Sequence, residues 1–235
     1  MFERSIPDRA YSGWVNELRE RLVEVEGRIG AACRRAGRGR EDVTLLAVTK
    51  VFPVGAIVSA YEAGLREFGE NYVQEFEGKF AVAGGLAGAR FHLIGHLQSN
   101  KSRKAGEIFD VVQTVDSGKL AGRLDELGKP LEVMIEVKLS PEDSKYGCLL
   151  DELAGVVAAV RACGHLTLTG LMTMPPWNDD AEVSRPYFRA LRTLAAAHGL
   201  KKLSMGMSHD LEVAIEEGST MVRVGTALFG SRKSL

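Results

Sequence analysis

Residues 43–50 read VTLLAVTK, and the rest of the chain is organised around this stretch. Five of its first six residues are apolar, the pattern of a β-strand that is covered on both faces. Lys50 stands at the C-terminal end of the predicted strand, and Pro53 then favours the start of a helix. At the mouth of a core, desolvation can lower the pKa of an amine, which prepares it for Schiff-base chemistry. The position also suits a lysine that only extends into solvent, so the stretch alone leaves both roles open.

The length and composition limit the number of domains and the kinds of ligand that the chain can be expected to have. With 235 residues, 45% hydrophobic and 26% charged, the chain fits one large α/β domain or two small ones. Thirty basic residues against thirty-one acidic ones give a net charge of −1. This balance does not favour binding to nucleic acid or to other polyanions.

The cysteines and the apolar runs indicate the compartment. Cys33, Cys148 and Cys163 lie far apart and predict neither a metal site nor a disulfide framework, as is typical of a reducing cytosol. Residues 1–14 carry charges where a signal peptide needs an apolar core. No apolar run approaches the roughly 18–20 residues of a membrane span. We therefore expect a cytoplasmic protein without a membrane segment and without a bound metal.

Residues 11–35 form the most periodic segment of the chain. Apolar residues recur there at steps of three or four, namely Val15, Leu18, Leu22, Val25, Ile29 and Ala32. This spacing predicts a long amphipathic helix with one apolar face, whose role is packing. We expect residues 1–10 to form a flexible N-terminus.

Strand and helix signals alternate after this first helix. The predicted strands cover residues 45–49, 67–69, 91–95, 111–115, 131–137, 166–172, 202–205 and 220–224. The predicted helices between them cover residues 54–63, 72–80, 100–108, 118–127, 149–162, 181–198 and 208–217. This alternation predicts βαβ units and a parallel sheet. Eight units without a linker favour an α/β fold with a single (β/α)8 TIM barrel over residues 1–235. A doubly wound open sheet is the alternative, but no G-x-G-x-x-G motif follows the first strand.

Polar residues follow several of the predicted strands. Because barrels collect their chemistry at the C-terminal ends of the strands, we select Lys50 after the first strand and Asn71 after the second. Ser208 follows the seventh strand and is predicted to cap the helix over residues 208–217. Gly225 and Thr226 follow the eighth strand, where many barrels bind phosphate. An amine together with a phosphate cradle fits a phosphorylated aldehyde that forms an imine, and pyridoxal 5′-phosphate is the candidate.

Arg223 ends the eighth strand and has two interpretations. It can face a pyridine nitrogen, which it would keep unprotonated. It can equally pair with a carboxylate such as Glu67 or Glu136. The sequence alone leaves both roles open.

With these residues in place, the chain resembles the YggS family, also called the pyridoxal phosphate homeostasis protein family. The resemblance runs from about residue 11 to residue 232 and rests on seven motifs in consistent order. They are AVTK (47–50), FGENYVQE (68–75), FHLIGHLQSNK (91–101), QTVDS (113–117), GLMTMPP (170–176), LSMGMS (203–208) and STMVRVGTALFG (219–230).

The resemblance implies a fold, a cofactor and a site. The fold would be a barrel of the alanine racemase N-terminal type with an extra N-terminal helix. Lys50 would hold pyridoxal 5′-phosphate as an internal aldimine, and the other residues in contact with the cofactor would be Asn71, Ser208, Arg223, Gly225 and Thr226. Family members are regarded as proteins that keep the free aldehyde low, without robust catalysis. The implied partners are the cofactor and PLP-dependent apoenzymes, and the implied state is a monomer or weak dimer.

An amino-acid racemase is the alternative function. A two-base racemase needs a second acid/base group opposite the lysine, commonly a tyrosine from a separate β domain, and the chain ends at Leu235 without room for one. The internal candidates have no clear position at the site; they are Tyr61, Tyr72, Tyr146 and Tyr187. An arginine at the ring nitrogen would also disfavour a delocalised carbanion. We therefore expect a carrier more than an enzyme.

Three further interpretations remain. A lysine-based aldolase on the same barrel would form an imine with a sugar phosphate. The basic run over residues 100–104 could serve a regulatory partner, although a solvated helix face is the simpler reading. His209 stands where related sequences more often have Asp, and we interpret it as a neutral, solvent-exposed variant at a helix start.

Overall fold

A computed structural model describes residues 8–142 and 146–230, with side chains from residue 15 onward. Its strands are β1 (Thr44–Val48), β2 (Glu67–Glu70), β3 (Arg90–Leu93), β4 (Val111–Val115), β5 (Leu131–Glu136), β6 (Leu166–Met172), β7 (Lys202–Met207) and β8 (Met221–Val224). Its α-helices are α1 (Asp8–Arg35), α2 (Val54–Glu62), α3 (Val73–Ala83), α4 (Ser102–Ile108), α5 (Gly118–Asp125), α6 (Leu153–Arg161), α7 (Arg185–Ala197), α8 (Leu211–Glu216) and α9 (Thr226–Phe229).

The eight strands form one closed parallel barrel in the order β1 to β8, and β8 pairs with β1. The predicted (β/α)8 fold is confirmed, and the open sheet is excluded. The register between the last strand and the first places Arg223 opposite Leu46 and Val224 opposite Ala47. Closure therefore brings the last strand beside the strand that leads to Lys50.

The two faces of β1 enter different apolar clusters. Leu46 and Val48 pack inside the barrel with Ile94 and Met221. Leu45 and Ala47 belong to the larger cluster between the strands and the surrounding helices. Side chains of a strand alternate between its faces, so a strand that is buried on both sides is mostly apolar along its length. This is the physical reason for the near-continuous apolar run at residues 43–48.

Helix α1 lies outside the barrel and packs against α8 and α9. Most of its predicted apolar stripe is buried, including Leu18, Val25 and Ile29. Arg28 forms a bidentate ion pair with Glu212 of α8, with nitrogen–oxygen distances of 2.6 and 2.8 Å. The packing role predicted for this helix is confirmed. The helix begins at Asp8, and residues 1–7 of the predicted flexible terminus lie outside the described residues.

The predicted helix start at Ser208 is wrong. Helix α8 begins at Leu211, and Asp210 is its N-cap residue. The carboxylate of Asp210 accepts hydrogen bonds from the backbone N–H of Met207 and from the hydroxyl of Ser184. These bonds hold residues 207–210 as a turn rather than as a first helical turn. Helix α9 was not predicted, because four residues are too short for a periodic signal.

The remaining features of the fold are the hydropathy of its helices and the state of its cysteines. Within residues 8–142 and 146–230, no helix combines the length and the hydropathy that a bilayer crossing requires. The three cysteines are free thiols.

Candidate functional site

A cleft of about 290 Å³ lies at the C-terminal mouth of the barrel. Small-molecule sites commonly span about 300–1,000 Å³, so this volume suits a compact ligand. The residues that line the cleft are Val48, Lys50, Asn71, Ile94, Met174, Trp177, Met207, Ser208, His209, Arg223, Gly225 and Thr226. The structure therefore brings together all six residues that the sequence analysis selected. Their contacts with a ligand remain predictions.

Lys50 lies two residues beyond the end of β1 and is half-buried. The next residue, Val51, has a φ of +63°. A β-branched residue in this left-handed region is a genuine outlier. Such a conformation costs about 1–3 kcal/mol and persists only where the surrounding structure holds it. The turn that carries Lys50 is therefore strained.

Arg223 is buried inside the barrel mouth, at 3% exposure. Its Nη1 donates to the carbonyl oxygen of Ser204 at 2.7 Å and to the hydroxyl of Ser204 at 2.8 Å. Its Nη2 donates to the carbonyl oxygen of Thr173 at 2.9 Å. These acceptors fix the plane of the guanidinium at the wall of the cleft.

The structure does not show the alternative carboxylate pairing of Arg223. Glu67 is bonded instead to His92, and the carboxylates of Asp210 and Glu136 act on Arg223 only through their charge. Burial lowers the pKa of Arg223 to about 10, against the opposing effect of these two charges. The guanidinium therefore still carries its positive charge at neutral pH.

A chain of hydrogen bonds supports Arg223 across the barrel interior. The hydroxyl of Ser204 donates to Oε1 of Gln113 at 2.6 Å, and Nε2 of Gln113 lies 2.8 Å from Nδ1 of His92. Nε2 of His92 in turn lies 2.5 Å from Glu67. Because a guanidinium can only donate, each group in this chain donates to the next, so Nδ1 of His92 accepts from Gln113 and Nε2 of His92 donates to Glu67. The sequence analysis missed Gln113 and Ser204; only their presence in the QTVDS and LSMGMS motifs marked them.

The loops after β7 and β8 face the same cleft. The hydroxyl of Ser208 accepts a hydrogen bond from the backbone N–H of Ala227 at 3.4 Å. The carbonyl of Ser208 accepts one from Nη2 of Arg28 at 2.9 Å, so helix α1 also holds this loop. Gly225 precedes the short helix α9, and Thr226 is its exposed first residue. Ser208, Gly225 and Thr226 therefore all line the same cleft.

The interpretation of His209 as a solvent-exposed variant at a helix start is wrong. Its Nε2 atom is buried and has no hydrogen-bond partner. Its ring packs against Trp177, with 4.7 Å between the ring centroids. The 207–210 turn, which replaces the expected helical turn, places this side chain at the wall of the cleft.

Asn71 shares this property with His209. Its Oδ1 atom is also buried without a partner, and Asn71 also lines the cleft. Buried polar atoms in proteins are nearly always paired, so two unpaired atoms on residues of one cleft suggest a polar ligand. Lys50, Arg223 and the hydroxyl of Ser208 suit a small anionic molecule that carries a carbonyl group, whereas Oδ1 of Asn71 can only accept a hydrogen bond and so requires a donor on the ligand.

A second cleft of about 400 Å³ shares Asn71 and Met174 with the first. Tyr72 and Tyr146 line it, and Tyr146 stacks on His96 with a centroid distance of 3.9 Å. Two of the four candidate tyrosines therefore lie beside the site. Lys145 of the same loop lies outside the described residues.

The other two candidate tyrosines, Tyr61 and Tyr187, line neither cleft. Tyr61 donates its hydroxyl proton to the carbonyl of Ala87, and Tyr187 belongs to α7. In the basic run, Lys104 pairs with Glu77 and Glu107 on the surface, as expected of a solvated face. Among the residues that the structure describes, no group of three or more His, Cys, Asp or Glu side chains could hold a metal ion.

The barrel and its lysine-bearing cleft define a protein of the alanine racemase N-terminal class. The sequence profile described as "Alanine racemase, N-terminal domain" matches residues 28–233. A solved alanine racemase from Clostridium difficile 630 superimposes with a TM-score of 0.71 at 15% identity, covering 93% of this chain and 57% of that chain. This similarity concerns the fold alone.

Relatives of higher sequence identity identify the family to which the chain belongs. The pyridoxal phosphate homeostasis protein of Escherichia coli (strain K12) is 44% identical over 231 residues, which cover 93% of this chain and 98% of the relative. The protein of the same name from Pseudomonas aeruginosa is 44% identical over 224 residues, covering 93% of this chain and 97% of the relative. The chain belongs to the pyridoxal phosphate homeostasis protein family, which confirms the resemblance found in its motifs.

A solved relative carries a ligand. PipY of Synechococcus elongatus PCC7942, a member of the COG0325 family, was solved with PLP bound. It superimposes on this chain with a TM-score of 0.79 at 39% identity, covering 91% of this chain and 100% of PipY. The structure of PipY without PLP gives a TM-score of 0.82.

Proposed function

We propose that this protein binds pyridoxal 5′-phosphate in the cleft, holds it as a Schiff base on Lys50 and serves intracellular PLP homeostasis without efficient catalysis. One observation carries the proposal: closure of the barrel brings Lys50 and the loops after β7 and β8 to a single cleft. The PLP-bound structure of PipY supports the choice of ligand. When bound, PLP supplies an aldehyde that condenses with amines.

The residues of the cleft fit the polar groups of this cofactor. The Ser208 hydroxyl already accepts from Ala227, so its own proton remains available for a phosphate oxygen. The backbone N–H groups of Gly225 and Thr226 would complete the phosphate site. Oδ1 of Asn71 would accept a hydrogen bond from a polar substituent of the ligand, and Nε2 of His209 would accept or donate one according to its tautomer.

The position of Arg223 favours a protein that binds the cofactor over an enzyme that uses it in catalysis. Its protonated guanidinium can only donate, so a ring nitrogen that faces it must remain unprotonated. Such a ring accepts electrons poorly, and a carbanion beside it is less stable. The three hydrogen bonds that anchor Arg223 prevent it from moving aside. The site therefore suits a carrier.

A racemase is the second candidate, and the cleft beside the site is the observation that favours it. Tyr72 and Tyr146 line this second cleft, which shares Asn71 and Met174 with the first. A tyrosine that reached across this shared wall could act as a second base. Racemisation of L-alanine by the purified protein, above a control with free cofactor, would favour this function over the carrier.

The Schiff base is tested with Lys50→Ala and with Lys101→Ala as the matched control. Lys101 lines only the second cleft. We expect the wild type and the control to show a visible absorption band with PLP and an adduct that borohydride reduces. Lys50→Ala should lose both but retain some cofactor through the phosphate. A reducible adduct of unchanged stoichiometry in Lys50→Ala would show that the Schiff-base assignment is wrong.

The homeostasis role is tested by cofactor transfer. We expect the PLP-loaded protein to restore activity to a PLP-dependent apoenzyme, because an imine can pass from one lysine to another amine. We also propose a cytoplasmic location and a monomer or weak dimer, which cell fractionation and sedimentation equilibrium would check. An apoenzyme that recovers no faster than with free PLP would argue against direct delivery.

A further inference from the structure

The turn that carries Lys50 is held on both sides by side chains from β2 and α3. Oε1 of Glu70 accepts a hydrogen bond from the hydroxyl of Thr49 at 2.8 Å. Oε1 of Glu75 accepts one from the backbone N–H of Val51 at 2.6 Å. Thr49 and Val51 are the chain neighbours of Lys50, so both neighbours are tied to groups outside the turn.

Lys79 joins the two carboxylates. Its Nζ atom lies 2.9 Å from Oε1 of Glu70, 2.6 Å from Oε1 of Glu75 and 3.0 Å from the carbonyl oxygen of Thr49. An ammonium group has three protons to donate, and these three acceptors use all of them. Lys79 is also buried, at 7% exposure. It therefore forms the centre of an ion-pair cluster and does not offer a reactive amine.

The strained backbone at Val51 indicates what this ion-pair cluster does. Residues in sparsely populated backbone regions persist where the surrounding structure over-determines them. At Val51, with its φ of +63°, the bond to Glu75 supplies that restraint. Without it, the backbone after Lys50 could relax to an ordinary conformation and carry the lysine with it.

Stability alone explains the cluster poorly. Taking Lys79 and Glu70 out of water is costly, and a buried ion pair often stabilises a fold no better than apolar side chains do. Glu70 shows this cost: burial raises its pKa above the ordinary value even though Lys79 opposes the shift. Its second oxygen, Oε2, is buried without a partner.

We propose that Lys79, Glu70 and Glu75 form a clamp that positions the Lys50 amine by fixing the strained turn at residues 49–51. The inference rests on the proposed role of Lys50 and adds three positioning residues to it. None of the three lines the cleft, so the clamp acts on a ligand only through Lys50.

The test compares Glu75→Ala with Glu77→Ala. Glu77 lies on the same helix, is exposed and pairs only with Lys104 among the residues described. Two quantities are measured: the rate at which PLP forms a borohydride-reducible adduct, and the affinity for pyridoxamine 5′-phosphate. The second ligand carries the same phosphate and ring but has no aldehyde, so it reports on the cleft without the imine.

We expect Glu75→Ala to slow adduct formation by about tenfold or more, because small misplacements of a reacting group are costly. The affinity for pyridoxamine 5′-phosphate should stay at the wild-type value, and Glu77→Ala should change neither quantity. Adding Val51→Gly to Glu75→Ala should restore much of the rate, because glycine adopts a positive φ without strain. If Glu75→Ala does not fold, Glu75→Gln preserves the volume and should give the same pattern with a smaller slowing.

Amide hydrogen exchange at Val51 provides a readout that needs no cofactor. We expect Glu75→Ala to lose protection of this amide and Glu77→Ala to retain it. Unchanged protection, or an unchanged rate of adduct formation in Glu75→Ala, would overturn the clamp. A parallel loss of adduct formation and of pyridoxamine 5′-phosphate affinity would also overturn it, because it would indicate general damage to the cleft. A wild type that forms no adduct would refute the proposed role of Lys50 instead, and the Val51 exchange would still decide whether the clamp exists.

Discussion

Nη1 of Arg223 lies 2.8 Å from the hydroxyl oxygen of Ser204, at the point where the cleft meets the barrel interior. This contact links a residue of the proposed cofactor site to a buried hydrogen-bond chain through Gln113 and His92. The orientation of Arg223 is therefore set by residues that do not line the cleft.

Replacing Arg223 should alter the electronic state of bound PLP. We expect Arg223→Glu to shift the absorption spectrum and the pH at which it titrates, because a carboxylate favours a protonated ring nitrogen. The measurement is a pH titration of the visible band. Arg223→Lys keeps the positive charge and serves as the control with a smaller shift. A spectrum identical to that of the wild type at every pH would place Arg223 away from the ring.

Breaking the support of Arg223 should cost stability. Gln113→Leu leaves the hydroxyl of Ser204 and Nδ1 of His92 without their partner, and each buried unsatisfied group costs about 1–3 kcal/mol. We expect a lower free energy of unfolding in urea and a changed spectrum of bound PLP. Wild-type stability together with a wild-type spectrum would show that the chain has no influence on Arg223.

Adding a methyl group at Gly225 should weaken ligand binding without lowering the stability of the fold. A Cβ there would meet its nearest atoms, those of Val48, at 3.5 Å, which is ordinary contact. The φ of −114° is also accessible to alanine. We therefore expect Gly225→Ala to keep the wild-type melting temperature but to bind PLP more weakly, because the backbone N–H would approach the phosphate less closely. Unchanged affinity in equilibrium dialysis would remove Gly225 from the phosphate site.

Glu217 should make stability depend on acid pH. Burial alone would raise its pKa, but hydrogen bonds from Arg189 and Arg185 outweigh this effect and lower the pKa below the ordinary value. Since the folded-state pKa is below the unfolded-state value, the contribution is complete above the unfolded-state pKa. It is lost as the pH falls through the folded-state pKa.

The measurement is the free energy of unfolding in urea at a series of pH values below neutrality. We expect Glu217→Gln to be less stable than the wild type at neutral pH and to lose less stability on acidification. Glu20→Gln, an exposed change on α1, is the control. Parallel curves for Glu217→Gln and the wild type would contradict the assignment.

The cysteines should differ in reactivity. Burial, with the charges of Glu152 and Asp116, raises the pKa of Cys148 to about 12, and the side chain is 1% exposed. Cys33 is equally buried, whereas Cys163 is half-buried. We expect iodoacetamide to modify only Cys163 in the folded protein, as measured by peptide mass spectrometry. Modification of Cys148 without denaturant would contradict the burial that underlies this order.

The barrel and most of the cleft can be predicted from the amino-acid sequence. The apolar run at residues 43–48 and the seven further strand signals specify buried parallel strands, because a strand covered on both faces is mostly apolar. Once eight strands close in order, their C-terminal ends meet, so Lys50, Asn71 and Gly225 are brought together without any knowledge of side-chain contacts. These features follow from local patterns and from topology.

The contacts that hold those residues in place cannot be predicted from the sequence, because they form between distant parts of the folded chain. Lys79 bonds to a carbonyl thirty positions away, and Ser204 bonds to Gln113 over ninety-one positions. No periodicity in the sequence reports such partners, because each bond depends on the directions in which two remote side chains point. His209 shows the same limit: the bond from Met207 to Asp210 forms a turn where a helix was predicted, and that turn places the half-buried imidazole at the wall of the cleft with its Nε2 atom buried.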